Sequence, residues 1–122
     1  MAVWKPTSSM GPVKVEGEIR FAPGEARPAA ATVWVRLLDV SYADAPSLTV
    51  AEERIPLTGV CPLRFVFAVA KVDPGVQYAV SAHVDLAGDG RIRPGDWVTA
   101  QRYAVLTFGH GTSLEIEVQP VC

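Results

Sequence analysis

Val13–Phe21 reads VKVEGEIRF, and its residues divide cleanly between two faces. Val13, Val15, Gly17, Ile19 and Phe21 share one, and Lys14, Glu16, Glu18 and Arg20 share the other. Successive side chains of an extended chain point to opposite sides of a sheet. A period of two with the charges on one side therefore marks a strand with one wet face. The same period recurs downstream. Thr32–Val40 sets Val33, Val35 and Leu37 against Trp34, Arg36 and Leu38. Pro62–Val69 sets Leu63, Phe65, Phe67 and Val69 against Arg64, Val66 and Ala68. Residues 48–57, 77–84 and 113–119 give three more strands, and residues 97–107 another, broken near Tyr103. Pro23-Gly24, Thr58-Gly59, Asp73-Pro74-Gly75 and Gly109-His110-Gly111 are turn chemistry between them. Glu25–Ala31 is too short for a useful helix, and Pro28 interrupts it. Short strands at this spacing predict an all-β fold, an immunoglobulin-like β-sandwich of about seven antiparallel strands. The Cys…Trp…Cys signature of antibody domains is missing, so the likeness is one of architecture. Phe65 and Phe67 are expected to lie buried between the sheets.

At 122 residues the chain is one domain's worth, and it can bury a core without disulfides or metal. An apolar share of 49% against 20% charged excludes intrinsic disorder. Eleven basic and 13 acidic residues leave a net charge of −2, without the basic excess that nucleic-acid binding needs. The longest apolar run, Phe65–Ala70, is far too short to span a bilayer. Residues 1–12 read as a flexible N-terminal segment and residues 13–122 as a single β-sandwich domain. The N-terminus shows neither the basic start nor the apolar stretch of a signal peptide, so the chain as it stands is expected in the cytoplasm. It would be periplasmic or lipid-anchored if a native signal had been removed. Cys61 and Cys122 are far apart with no CxxC spacing, which favours free thiols over a bridge or a zinc site.

Three segments in order resemble the YbaY/YscW family of small bacterial lipoproteins. The first is Val35-Arg36-Leu37-Leu38-Asp39-Val40-Ser41-Tyr42-Ala43-Asp44-Ala45-Pro46, followed by Val50-Ala51-Glu52. The second is Tyr78–Asp85. The third runs from Asp89-Gly90-Arg91 through Gly95-Asp96 to Tyr103-Ala104-Val105-Leu106-Thr107 and Gly109. Ala-Asp-Ala-Pro is the more specific of these pieces, and together they extend over about Val13 to Val121. The resemblance implies a β-sandwich without catalytic activity. Its type III secretion members act as pilotins, which help a secretin reach the outer membrane. Neither a signal peptide nor a lipidated cysteine is read in the sequence as it stands, which is expected to depart from the family's pattern there.

Three groups of residues could carry chemistry. Ser81, His83 and Asp85 name the members of a catalytic triad, but alternate residues of a strand stand side by side, roughly 6.5–7 Å apart, out of hydrogen-bonding reach. They are read instead as a polar, solvent-facing strand edge. The loop Asp85–Asp96 (DLAGDGRIRPGD) has the spacing of a calcium loop, with Asp85, Asp89 and Asp96 as its acids and Gly90 at the turn. Ala87 and Arg93 stand where further oxygen ligands would be needed. The competing reading is a long hairpin connection whose carboxylates accept backbone N–H bonds. Trp34, Tyr42 and Trp97, with Tyr103, are candidates for an interaction surface, and core packing is the competing reading of Trp34. The function expected is a non-enzymatic binding or accessory module, meeting another protein through a sheet edge or face. It is expected to need no cofactor. The alternatives are a calcium-binding or calcium-stabilised domain using residues 85–96, and a small-molecule binder or small enzyme with a pocket between sheets.

Overall fold

Each apolar alternation becomes a strand in the computed structural model, which describes residues 13–24, 26–42, 45–57 and 63–121. Among these residues there are eight strands and no helix. They are β1 (Val13–Phe21), β2 (Ala31–Asp39), β3 (Leu48–Leu57), β4 (Leu63–Val69), β5 (Tyr78–Asp85), β6 (Trp97–Thr99), β7 (Tyr103–Val105) and β8 (Ser113–Pro120). The segment expected to break near Tyr103 breaks over residues 100–102, and its halves pair in turn with β5. The assignments made for residues 1–12, 25, 43–44, 58–62 and 122, Cys61, Cys122 and the Ala43-Asp44 of the Ala-Asp-Ala-Pro motif among them, lie outside the described residues.

The expected pair of antiparallel sheets is corrected by the pairing. All eight strands belong to one sheet, in the order β3-β2-β5-β6-β8-β1-β4, with β7 also on β5. One ladder, β1 with β8, is parallel, and the others are antiparallel. The end strands β3 and β4 lie against each other, so the sheet curls nearly into a barrel. A period of two marks which side of a strand is inside but not which strands share a sheet, and a sandwich and a curled sheet bury the same alternation.

The inside of the curl is apolar. Val15 and Ile19, Val33 to Leu37 in alternation, Leu63 to Val69 in alternation, Val80, Val84, Ile116 and Val118 form one buried cluster. Phe65 and Phe67 are inside it, their rings tilted with centroids 5.8 Å apart. Gly17 is required by close approach. A Cβ there would stand 2.1 Å from the Leu114 carbonyl oxygen and 2.9 Å from Phe65 Cζ, so a side chain would force β1 off β8.

Candidate functional site

Strand β5 crosses the middle of the sheet, and its two faces differ in kind. Val80, Ala82 and Val84 point into the core, which leaves Ala79, Ser81, His83 and Asp85 on the outer face. On β2 the outward neighbours are Leu38 beside Ala79, Arg36 beside Ser81, Trp34 beside His83 and Thr32 beside Asp85. The expectation of a solvent-facing polar edge does not hold here. The strand is central, and His83 (3% exposed) and Asp85 (0%) are buried on its outer face.

What buries them is the connection from β5 to β6. The hairpin register sets Val84 opposite Trp97 and His83 opposite Val98, so Asp96 returns beside Asp85. Two carboxylates placed together in a dry site repel unless each is met by donors. Here each has three. Asp85 accepts N–H bonds from Gly88 (2.9 Å) and Gly90 (2.6 Å), and one from Trp34 Nε1 (3.1 Å). Gly88 and Gly90 have φ of 77° and 83°, left-handed values that glycine adopts freely and that turn both amides inward. Asp96 accepts from the Leu86 and Arg93 amides (3.1 and 3.2 Å) and from His83 Nε2 (2.8 Å). Burial pushes the Asp85 carboxyl up. The Gly90 and Gly88 amides, the Trp34 indole and the charge of His83 outweigh it and hold the group below the ordinary carboxylate value.

Of the three acids singled out in the sequence, the fold gathers two. Asp89 is half-exposed at the loop tip, where it pairs with the Arg93 guanidinium and accepts the Arg91 amide at 3.0 Å. In its place comes His83, and among the described residues His83, Asp85 and Asp96 bring ligand-type atoms within 4.8 Å of one another. His83 Nδ1 is buried without a partner. The carboxylates already face N–H dipoles, which do the neutralising work that a cation would do. The signal for His83 was its place two residues before Asp85, on the same strand face.

The aromatic candidates separate. Trp97 is 3% exposed, packed edge-on against Phe21 at 5.0 Å, and contributes nothing to a surface. Trp34 is outside the barrel and half-buried. Its ring lies under the guanidiniums of Arg54 (4.6 Å) and Arg36 (5.5 Å), and its N–H is committed to Asp85. Tyr103 is half-buried, its hydroxyl accepting the Glu117 amide at 2.9 Å. Tyr42, in the β2–β3 connection, is 73% exposed.

Two open concavities mark the surface. One, about 630 Å³, lies over β1, β4 and β8 and is lined by Glu16, Glu18, Glu53 and Glu115, with Arg64 as the one cation among its described residues. The other is a groove at the Ala79 end of the outer face of β5, made of two adjoining hollows of about 230 and 240 Å³. Val40, Ala79 and Arg102 line both hollows. The groove went unseen in the sequence because its residues come from four separate segments.

Residues 10–118 match the family described as type III secretion system lipoprotein chaperone (YscW). The fold is similar to a solved structure described as an alternative pilotin from the type II secretion system of Vibrio cholerae. The TM-score is 0.76 at 29% identity, over 91% of this chain and 98% of that one. No curated protein sequence matches significantly.

Proposed function

We propose, from the premise that this chain belongs to the YscW family of type III secretion lipoprotein chaperones, that it is a non-enzymatic pilotin. It binds a secretin-type partner in the periplasm, tethered to the membrane by lipid in its native form, and escorts that partner to the outer membrane. The observation that carries this reading is the end-to-end likeness to a pilotin, which leaves 2% of that protein's chain outside the match. The outer face of β5 supports it. The residues closest to a catalytic set, His83 and Asp85, are sealed under their own loop, while Ser81 faces the open groove. The described residues contain no helix long and apolar enough to cross a membrane.

The test is co-expression with the secretin of the same organism's secretion system. The expected result is co-purification of the two proteins and more assembled secretin in the outer membrane when this chain is present. Assembly that is indifferent to the chain, with no co-purification, removes the proposal.

A further inference from the structure

The groove on β5 differs in chemical character from the acidic concavity over β1, β4 and β8. Its floor is made of small side chains, Ala79, Ser81 and Ala104, which leave depth that larger residues would fill. Leu38 and Val40 of the β2 side form one apolar wall. Phe108 stands at the lip and is 63% exposed. Among the described residues no carboxylate lines either hollow, although the chain carries 13 acidic residues. The cations there are Arg102, which borders both hollows, and, when protonated, His110 in the first. Arg102 is exposed and has no ion pair among the described residues.

The turn that presents Phe108 is itself costly. Leu106 (φ 75°) and Phe108 (φ 55°) both hold left-handed backbone that non-glycine residues seldom adopt. The turn is held there by the Thr107 hydroxyl, which donates to the Val76 carbonyl at 2.5 Å, and by the Leu106 amide on the Gly111 carbonyl at 2.9 Å. An exposed aromatic ring on a strained, tied-down turn gains nothing for the isolated chain. It gains on burial against a partner.

We infer that this groove is the seat of the partner protein: it takes a polypeptide segment with an Asp or Glu between two apolar side chains. The carboxylate meets Arg102, and the apolar side chains fill the hollows on either side, one of them under Phe108. Arg102 borders both hollows, so the carboxylate sits in mid-segment with chain continuing past it both ways. That selects an acidic side chain over a chain terminus. The inference rests on the pilotin reading and adds the recognition chemistry.

The experiment probes this chain with short overlapping peptides tiling the secretin, and in parallel with the whole secretin. The proteins compared are the natural sequence, Arg102→Glu, Phe108→Ala and, as a control outside the groove, Arg91→Glu. All three positions are exposed, and thermal melts check that each variant is folded. The expected result is that the bound peptides share an acid flanked by apolar residues. Arg102→Glu and Phe108→Ala should each weaken them by about tenfold or more, while Arg91→Glu leaves binding within about twofold. Added salt should weaken the natural protein's binding and have little effect on the residual binding of Arg102→Glu. If the whole secretin binds all four proteins equally, the groove assignment is overturned and the pilotin reading stands. If no protein binds the whole secretin, the pilotin reading fails and the inference with it. Bound peptides without an acid, or binding of a fatty acid such as laurate where no peptide binds, also overturn the assignment.

Discussion

The two ends of the outer face of β5 are built from one strand and do opposite things. At the Asp85 end, two carboxylates and a histidine are buried under a loop that exists to satisfy them. At the Ala79 end the strand offers only small side chains, and the segment after β7 leaves them uncovered, with a guanidinium that has no ion pair among the described residues and an aromatic ring beside the hollow. Polar residues on a strand are therefore poor markers of an exposed functional face. In this chain the carboxylates of the polar end are satisfied from within, His83 Nδ1 being the buried atom there without a partner, and the bland end is the one left open.

The difference can be broken at several points. The barrel under both ends is the reference. Phe67→Ala should cost about 3–5 kcal/mol in a urea melt, because the ring leaves a cavity among tightly packed neighbours. A loss below about 1 kcal/mol would mean the ring is not in the core. At the sealed end, Asp85→Ala should cost about 3 kcal/mol, since it leaves the Gly88 and Gly90 amides and the Trp34 indole without an acceptor. Trp34 fluorescence should report the same change, because its N–H loses its partner.

Acid should act on that end selectively. The Asp85 carboxyl titrates lower in the folded chain than in the unfolded one, so the unfolded state takes up a proton first as pH falls. Its stabilising contribution is complete above the ordinary carboxylate range near about 4 and is lost as pH falls through the folded value. Melting temperatures between neutral pH and about pH 3 should fall less steeply in Asp85→Asn than in the natural protein, once each is referred to its own neutral value. Parallel curves would show that Asp85 does not carry the acid response. Asp39, held low by the hydroxyl and amide of Ser41, acts in the same direction from a half-buried position.

At the open end the effects on stability should be small. Arg102→Ala and Phe108→Ala should each change unfolding free energy by less than about 0.5 kcal/mol, as surface substitutions do. A larger loss would reassign those side chains to structure. The smallest effect is expected from calcium. At about ten times the ~1 mM dissociation constant of a weak extracellular site, with ionic strength matched by monovalent salt, the melting temperature should not move. A rise of several degrees, abolished in Asp96→Asn, would place a cation among His83, Asp85 and Asp96.

Much of the fold was legible residue by residue. The alternations at Val13–Phe21 and Leu63–Val69 named their inward side chains correctly, because a strand's period of two is a local property of its backbone. Asp85 and Asp96 were visible as the ends of a hairpin loop, and the backbone-bonded reading of their carboxylates matches their contacts. Asp89 was grouped with them on spacing alone. Its carboxylate faces outward, where it pairs with Arg93, four residues on, and accepts the Arg91 amide. Trp97 looked available for a surface in the same way, yet its place on the inward side of β6 buries it.

By itself the sequence determined the all-β character, the inward and outward faces of its long strands, the turns and the family likeness. These depend on side-chain period, glycine and proline conformation and short motifs, all carried by neighbouring residues. Only the tertiary structure decided that the strands share one curled sheet, that β1 lies parallel to β8, that His83 joins two buried carboxylates, and that Leu38, Ala79, Arg102 and Phe108 meet around one groove. Those outcomes depend on which distant segments pair. Pairing is set by the packing of the whole core, and no single stretch of chain contains it.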